Sequence, residues 1–416
     1  MFCTQKRANY SEVFAVVKIS IIGDCHFGYD FGGERGEDSF ATVTEALENS
    51  KDADLIIQTG DMFDYRITKQ EIIAKAAKVF SIARNSQCNT KLIEVIGKKT
   101  EDTPKLRGVP IVCIHGTHER RSKHLLNPIH AMENADLVLY LDSQTAIFDC
   151  NGTKVAVHGL SGIPERYAKD FLRQWNPRPI QGAINIFVMH QSIDPYIYSP
   201  LEPPSLKLDD LPDGFDLIIA GHMHWWDQKL IRQGKLLLTG STIPTGVHAH
   251  EAAQKKCFWT FNGKDIEQHF FNYQRRVFMP EVQYDANIRT NIENAIKEVA
   301  SKGFTPKPII NLKLLGKLPA GVQQPKLSDL SEKYSDQAIV NFNSKLESED
   351  FKEQVDLLRS LREAKLSPEE QGLKILQQHL DQANVSIEVK EIFDLLSDGD
   401  AQNIFNIITG KQATLV

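Results

Sequence analysis

Five short runs rich in isoleucine, leucine and valine each stop at a polar cluster holding aspartate or histidine, and no other feature constrains the fold as tightly. Residues 17–23 (VKISIIG) end at Asp24-Cys25-His26, and residues 53–60 (ADLIIQTG) end in Gly60-Asp61-Met62-Phe63-Asp64. Residues 109–115 (VPIVCIH) lead into Gly116-Thr117-His118-Glu119. Residues 183–189 (AINIFVM) end at His190, and residues 215–220 (FDLIIA) at Gly221-His222-Met223-His224. Each run has the length and branching of a buried strand. In α/β sheets, ligands bind beyond the carboxyl ends of strands, so five such ends can meet at one point. Any one motif has an ordinary explanation as a turn or a hydrogen-bonded core histidine. Five in order, each after an apolar run, point to a metal site.

The residue types fit that chemistry. Mixed imidazole and carboxylate donors suit borderline divalent ions such as Mn, Fe or Zn. Seven or so candidate ligands exceed one ion's needs, and two ions about 3.5–4 Å apart share a bridging carboxylate. Cys25 lies between two candidate ligands, and strand alternation turns it away from them into the core.

The rest of the chain sets this cluster in an α/β half followed by a hairpin-rich half. Helices are expected over residues 38–50 and from Thr68, where Thr68-Lys69-Gln70-Glu71 reads as a capping box before Ile72, Ile73, Ala76, Val79 and Phe80. Asn127-Pro128 opens a further helix as N-cap and first helical residue. Hairpins are expected at Asn151-Gly152, Gln233-Gly234 and Asn262-Gly263. This pattern implies two sheets packed face to face with helices outside. Beyond it, residues 285–301 read as a helix, and residues 308–315 and 338–345 as strands of a small α/β module. From about residue 348 only helices remain. Ser367-Pro368 starts one, with Leu373, Leu376 and Leu380 on one face; Val389, Ile392, Phe393 and Leu396, then Ile404, Phe405 and Ile408, mark two more. A tail this small buries little alone and should dock on its own body or on a partner.

The chain has 416 residues, enough for two or three domains. The net charge of −6 does not advertise a nucleic-acid binder, although a metal site itself attracts phosphate. The six cysteines include no C-x-x-C pair, so reduced thiols and a cytoplasmic setting are expected, and no apolar run approaches a membrane span.

The five motifs in this order resemble the calcineurin-like metallophosphoesterases over roughly residues 16–275. Within them, residues 24–29 (DCHFGY), 188–191 (VMHQ) and 220–224 (AGHMH) resemble the nuclease subunit of the double-strand-break-repair nuclease–ATPase complex, whose bacterial counterpart is SbcD. The resemblance implies a four-layer αββα sandwich over residues 1–276, a small α/β capping domain over 277–347, and a helical tail over 348–416. It implies a Mn-dependent exo- and endonuclease processing DNA ends by two-metal phosphodiester hydrolysis. Asp24, His26 and His224 would hold one ion, Asp61 would bridge, and His190 and His222 would hold the second. His118 would serve as acid or transition-state stabiliser, with Asp64 accepting a hydrogen bond that fixes its ring. The family usually has an asparagine ligand at the position of Thr117, whose hydroxyl is a shorter neutral oxygen donor to the second ion.

Arg120, Arg121 and Lys123 are expected to meet DNA phosphates, and Tyr196 and Tyr198, on the loop after His190, to meet bases. A solvated charge run is the alternative for the basic residues, and a loop packed on the surface the alternative for the tyrosines. The family's tail docks on the coiled coil of an SMC-like ABC ATPase, and its catalytic domains form homodimers. The partners implied are therefore single- and double-stranded DNA ends, that ATPase and a second copy, with no membrane. A protein or nucleotide phosphatase of the same superfamily, and a catalytically weakened scaffold, are the competing expectations.

Overall fold

The computed structural model describes residues 17–122, 125–198, 206–246, 249–319, 322, 325–348, 368–382 and 388–397. The chain divides into two compact units. The first comprises Met1–Pro280, Ile292–Leu312 and Ser328–Phe342; the second comprises Glu281–Asn291, Lys313–Leu327 and Asn343–Val416.

Two sheets dominate the first unit. One has six strands in the order Ile266–Phe270, Cys257–Phe261, Ile19–Ile22, Leu55–Gln58, Ile111–Cys113 and Leu139–Tyr140. The other has seven, in the order Trp226–Ile231, Gly234–Thr239, Leu217–Gly221, Ile184–His190, Thr153–Leu160, Gln144–Cys150 and Lys91–Ile96. The five strands preceding the polar clusters are all central and pair in parallel, which explains their near-continuous apolar character.

Period-two alternation sorts their side chains into layers. Ile19, Ile21, Leu55, Ile57, Ile186, Val188, Leu217 and Ile219 share one core between the sheets. Ile22 and Ile56 face outward, onto a cluster with Phe40, Val43 and Leu47 of the helix Asp38–Glu48 and Ile72, Ala76 and Phe80 of the helix Gln70–Arg84. Phe187, Met189, Ile218 and Ala220 face the other way, onto Ala168 and Leu172 of the helix Glu165–Trp175. The order is helix, sheet, sheet, helix. Cys25 belongs to the helix-side cluster, away from its polar neighbours. Cys25, Cys88, Cys113, Cys150 and Cys257 are free thiols.

Local signals mostly set the connections. Asn127 caps the helix Pro128–Asn134, accepting the His130 N–H at 3.3 Å. Asn151 and Gly152 take positive φ of 52° and 90° to turn the expected hairpin. The capping box at Thr68 is a correction: that helix begins at Gln70 with Lys69 at its cap, and the Thr68 hydroxyl donates to the Tyr65 carbonyl at 2.9 Å. The edge strand Lys91–Ile96 and the helix Glu165–Trp175 lay outside the sequence expectations. Both have half-exposed faces that blur the apolar pattern.

His158 is buried on the helix side of the seven-stranded sheet, bonded to the Thr145 hydroxyl at 2.9 Å and Asn185 Oδ1 at 3.3 Å. Burial pushes its pKa down to about 4. The unfolded chain therefore binds a proton between about pH 6.5 and 4 that the folded chain refuses. The stability His158 contributes is complete above that window and lost as pH falls through it, amounting to about 2 kcal/mol by pH 5. Urea unfolding at pH 7 and pH 5 should show that loss in the parent chain and a smaller one in His158→Gln; equal losses would contradict it.

In the second unit, Glu281–Gln283 pairs in parallel with Lys313–Leu315. The helices Pro368–Gln382 and Val389–Ser397 pack closely where Gly372 faces Phe393, and a Cβ on Gly372 would lie 2.5 Å from the ring. Glu370, Leu373, Lys374, Gln377, Glu388, Val389 and Lys390 line a cavity of about 600 Å³ there. Ile404, Phe405 and Ile408, expected on a further helix, lie outside the described residues. No helix among the described residues is long and apolar enough to cross a membrane.

Candidate metal centre

The five strand ends meet. Three overlapping groups, Asp24/His26/His224, His26/Asp61/His118 and Asp61/His190/His222, each bring their donor atoms within 4.8 Å of one another. All seven residues came from motifs separated by up to two hundred positions. Strand parity explains part of this: His190 continues the inward-facing series of Ile186 and Val188, which places it at the end of the inter-sheet core. Turn geometry supplies the rest. His26, Asp61 and His222 adopt left-handed φ of 51°, 45° and 84°, a conformation that costs non-glycine residues about 1–3 kcal/mol.

Hydrogen bonds fix which ring nitrogen of each histidine faces inward. His190 Nδ1–H donates to the Thr59 carbonyl at 2.9 Å, so Nε2 is the atom that faces the cluster. That Nε2 is buried without an acceptably oriented hydrogen-bond partner, and it lies 3.1 Å from Asp61 Oδ2. His26 Nδ1 meets the Asp64 carboxylate at 3.1 Å, and His224 Nδ1 meets the Thr245 hydroxyl at 2.5 Å. Their Nε2 atoms face each other at 3.1 Å. A carboxylate, carbonyl or hydroxyl behind an imidazole is what orients a metal-binding histidine.

The electrostatics call for cations. Asp24 and Asp61 are both buried, at 0% and 1% exposure. Burial, with Asp61 adding to it, raises Asp24 to about 7 against the pull of His190. Burial works against ionisation of Asp61 as well, but His190, His26 and His118 outweigh it and hold its carboxyl well below the usual range. Burial opposes charge on His190, yet Asp61 and Asp24 raise it to about 10. Burial, reinforced by His190, lowers His222 to about 3. Burial also drives His224 far down, with His26 and Lys256 adding to it, so both rings keep neutral lone pairs. Two buried carboxylates facing neutral imidazoles and one orphaned nitrogen fit two divalent ions.

The remaining expected residues fall as follows. His118 is 40% exposed, its main-chain N–H donates to Asp61 Oδ1 at 2.8 Å, and its ring stands 4.9 Å from that of His26. Its Nδ1–H donates to the Asp64 main-chain carbonyl at 2.8 Å, while the Asp64 carboxylate is 3.6 Å away. The expected partnership therefore runs through the backbone of Asp64, and the carboxylate orients His26. Thr117 Oγ1 donates to Asp61 Oδ2 at 3.3 Å, placing it on the bridging carboxylate. Arg120 Nη1 is buried without a hydrogen-bond partner, and Arg121 Nη1 reaches the Leu126 carbonyl at 3.4 Å. Lys123 lies outside the described residues. Both tyrosine hydroxyls are engaged within the protein. Tyr196 donates to Asp227 at 2.8 Å; Tyr198 donates to the His222 carbonyl at 2.8 Å and accepts the His224 N–H at 3.1 Å.

Several supports had no legible signal: Thr59, Thr245, and Tyr198 as a bridge across the His222–His224 turn. Buried Glu119 accepts the N–H groups of Phe63 at 2.7 Å and Gly116 at 2.8 Å, clamping two of the five loops together. Gly221 is needed for room, since a Cβ there would overlap the Thr59 carbonyl and lie 2.8 Å from both Asp24 Oδ1 and His190 Nδ1. Gly221→Ala should cost about 1–3 kcal/mol in urea unfolding of the metal-free protein. An unchanged midpoint would mean the loops are looser than this geometry.

Comparison with known proteins agrees in class. Residues 17–226 match the profile of a family described as calcineurin-like phosphoesterase. The chain is 24% identical over 315 residues to the DNA double-strand break repair protein Mre11 of Sulfolobus acidocaldarius, covering 72% of this chain and 75% of that protein. It is 24% identical over 312 residues to the Mre11 of Thermoplasma acidophilum, covering 70% and 75%. The double-strand break repair protein mre-11 of Caenorhabditis elegans is 24% identical over 290 residues, covering 60% of this chain and 40% of that protein.

Proposed function

This chain belongs to the calcineurin-like phosphoesterase family, and from that premise we propose that it is a two-metal DNA nuclease that processes DNA ends in double-strand break repair. The observation that carries this reading is the convergence of Asp24, His26, Asp61, His118, His190, His222 and His224 on one buried, anionic, histidine-lined point. Similarity to the Mre11 proteins supports DNA as the substrate.

In this reading Asp24, His26 and His224 would hold one ion, His190 and His222 would hold the other, and Asp61 would serve both. Thr117 offers the second ion a neutral oxygen beside Asp61. Mixed nitrogen and oxygen donors accommodate manganese as they do iron or zinc, and manganese is the ion of this reading. A bound ion pair supplies charge neutralisation at the scissile phosphate and acidifies water. The chain supplies the rest. The Asp64 carbonyl holds the His118 Nδ1–H, leaving Nε2 to carry the proton to the leaving oxygen. Arg120, Arg121 and Lys123 follow His118 directly and take flanking phosphates, acting as both endo- and exonuclease contacts. Tyr196 and Tyr198 pack against the helix-side core with their hydroxyls occupied, which supports surface packing as the role of that loop. The groove between the helices Pro368–Gln382 and Val389–Ser397 receives an apolar helix of a coiled-coil ABC ATPase, with Leu373 and Val389 as anchors. A second copy pairs through the catalytic domain.

The test is to incubate the full chain with Mn2+ and end-labelled single- and double-stranded DNA, with a phosphopeptide in parallel. Chelator-sensitive cutting of DNA with the phosphopeptide untouched is expected. Phosphopeptide turnover with intact DNA would replace the nuclease by a phosphatase, and inertness towards both would favour a scaffold.

A further inference from the structure

Lys256 is a buried cation outside the metal motifs. It is 4% exposed, and its partner Glu251 is 2% exposed. An ammonium has three donors, and all three are used: Nζ meets the His224 carbonyl at 2.8 Å, Ser241 Oγ at 2.8 Å and Glu251 Oε1 at 2.7 Å. The same Glu251 oxygen accepts the Thr245 N–H at 3.1 Å, and the Thr245 hydroxyl meets His224 Nδ1 at 2.5 Å. One ion pair thus reaches both ends of His224, its carbonyl directly and its imidazole through Thr245. It reaches Asp24 too, because Ser241 bridges to Asp24 and the Thr242 N–H donates to the Asp24 carbonyl at 2.9 Å.

A buried ion pair is a poor source of stability. Desolvation offsets its attraction, and apolar replacement of both partners is often neutral. What the pair supplies is a single geometry: the three ammonium donors and Glu251 Oε1 are all engaged, while Glu251 Oε2 is buried without a hydrogen-bond partner. We propose that Lys256 and Glu251 are positioning residues that set His224, with Asp24, at one of the two metal positions while leaving the His190/His222 position alone. Neither side chain bonds His190 or His222; the His190 ring is set by Thr59, and His222 meets the network through its main-chain N–H on Asp24 Oδ2 at 3.0 Å. The inference rests on the dinuclear reading above.

Changing Lys256 alone strands a buried carboxylate and risks unfolding, so the primary test is the double variant Lys256→Met with Glu251→Gln. Thr245→Val, which leaves the pair intact and removes only the hydroxyl behind His224, is the second. Mn2+ binding is followed by calorimetric titration, and Co2+ binding by its visible spectrum, on the full chain. Unsubstituted protein should take up two ions. Both variants should lose about 10- to 100-fold in affinity at one position only, with an altered Co2+ spectrum at that position. A structural role alone would lower the unfolding midpoint and leave the affinities and spectrum unchanged, and that result would overturn the inference. Equal weakening at both positions would overturn it as well. If the unsubstituted chain took up no ion, the dinuclear reading would fall first and the inference with it.

Discussion

His118→Ala will bind as much metal as the unsubstituted chain and will cut DNA about 10²- to 10⁴-fold more slowly, the range over which a positioned proton donor contributes. The prediction follows from how His118 is held. Its main-chain N–H bonds Asp61, a contact the substitution keeps, and its ring Nδ1–H is spent on the Asp64 carbonyl. At 40% exposure the ring stands at the mouth of the cluster, whereas His26 and His190 are sealed within it. Yet His118 also lies within ligand distance of His26 and Asp61, so its imidazole could instead complete an ion's coordination. Metal content separates the two roles. Measured by elemental analysis after desalting, it should stay at the parental value; a loss of one ion per chain would make His118 a ligand and leave the proton donor unassigned.

Asp61→Asn should have the broader effect, because one carboxylate serves both halves of the cluster. Oδ1 accepts the His118 N–H, while Oδ2 lies 3.1 Å from His190 Nε2 and accepts from Thr117. Asparagine keeps the shape and one acceptor but removes the charge and points an amide where a cation would sit. Even partners behind the ligands are worth about 10- to 100-fold in metal affinity, so a shared ligand should exceed about 100-fold. Bound metal should fall below one ion per chain at concentrations that saturate the parent, and cleavage should disappear with it. The metal-free variant should still fold, since the His118 N–H keeps its acceptor and the Thr117 hydroxyl turns from donor to acceptor for the new amide. Two ions retained in Asp61→Asn would exclude a shared role for this carboxylate.

Much of the cluster was legible before folding. The strands Ile19–Ile22, Leu55–Gln58, Ile111–Cys113, Ile184–His190 and Leu217–Gly221 are buried on both faces, and burial of that kind writes itself as an unbroken apolar run. The Asn151-Gly152 turn and the Asn127-Pro128 cap are local in the same sense: a few adjacent residues decide them. The helix after the second cluster shows the limit. Thr68 had the right spacing for a cap, but its hydroxyl found the Tyr65 carbonyl in a turn, and the helix opened two residues later.

The sequence by itself determined which residue types stand at the ends of buried strands, and so which chemistry the chain can support, because burial and strand direction are local properties of side-chain pattern. It could not determine who stands behind each imidazole. That the Asp64 carboxylate serves His26 and its carbonyl serves His118, that Thr59 turns His190, and that Lys256 reaches His224 were decided by the tertiary structure. Those contacts join segments up to 131 positions apart. They depend on how two sheets stack and on turns that carry histidine and aspartate into left-handed backbone, and neither leaves a mark in any short stretch of the chain.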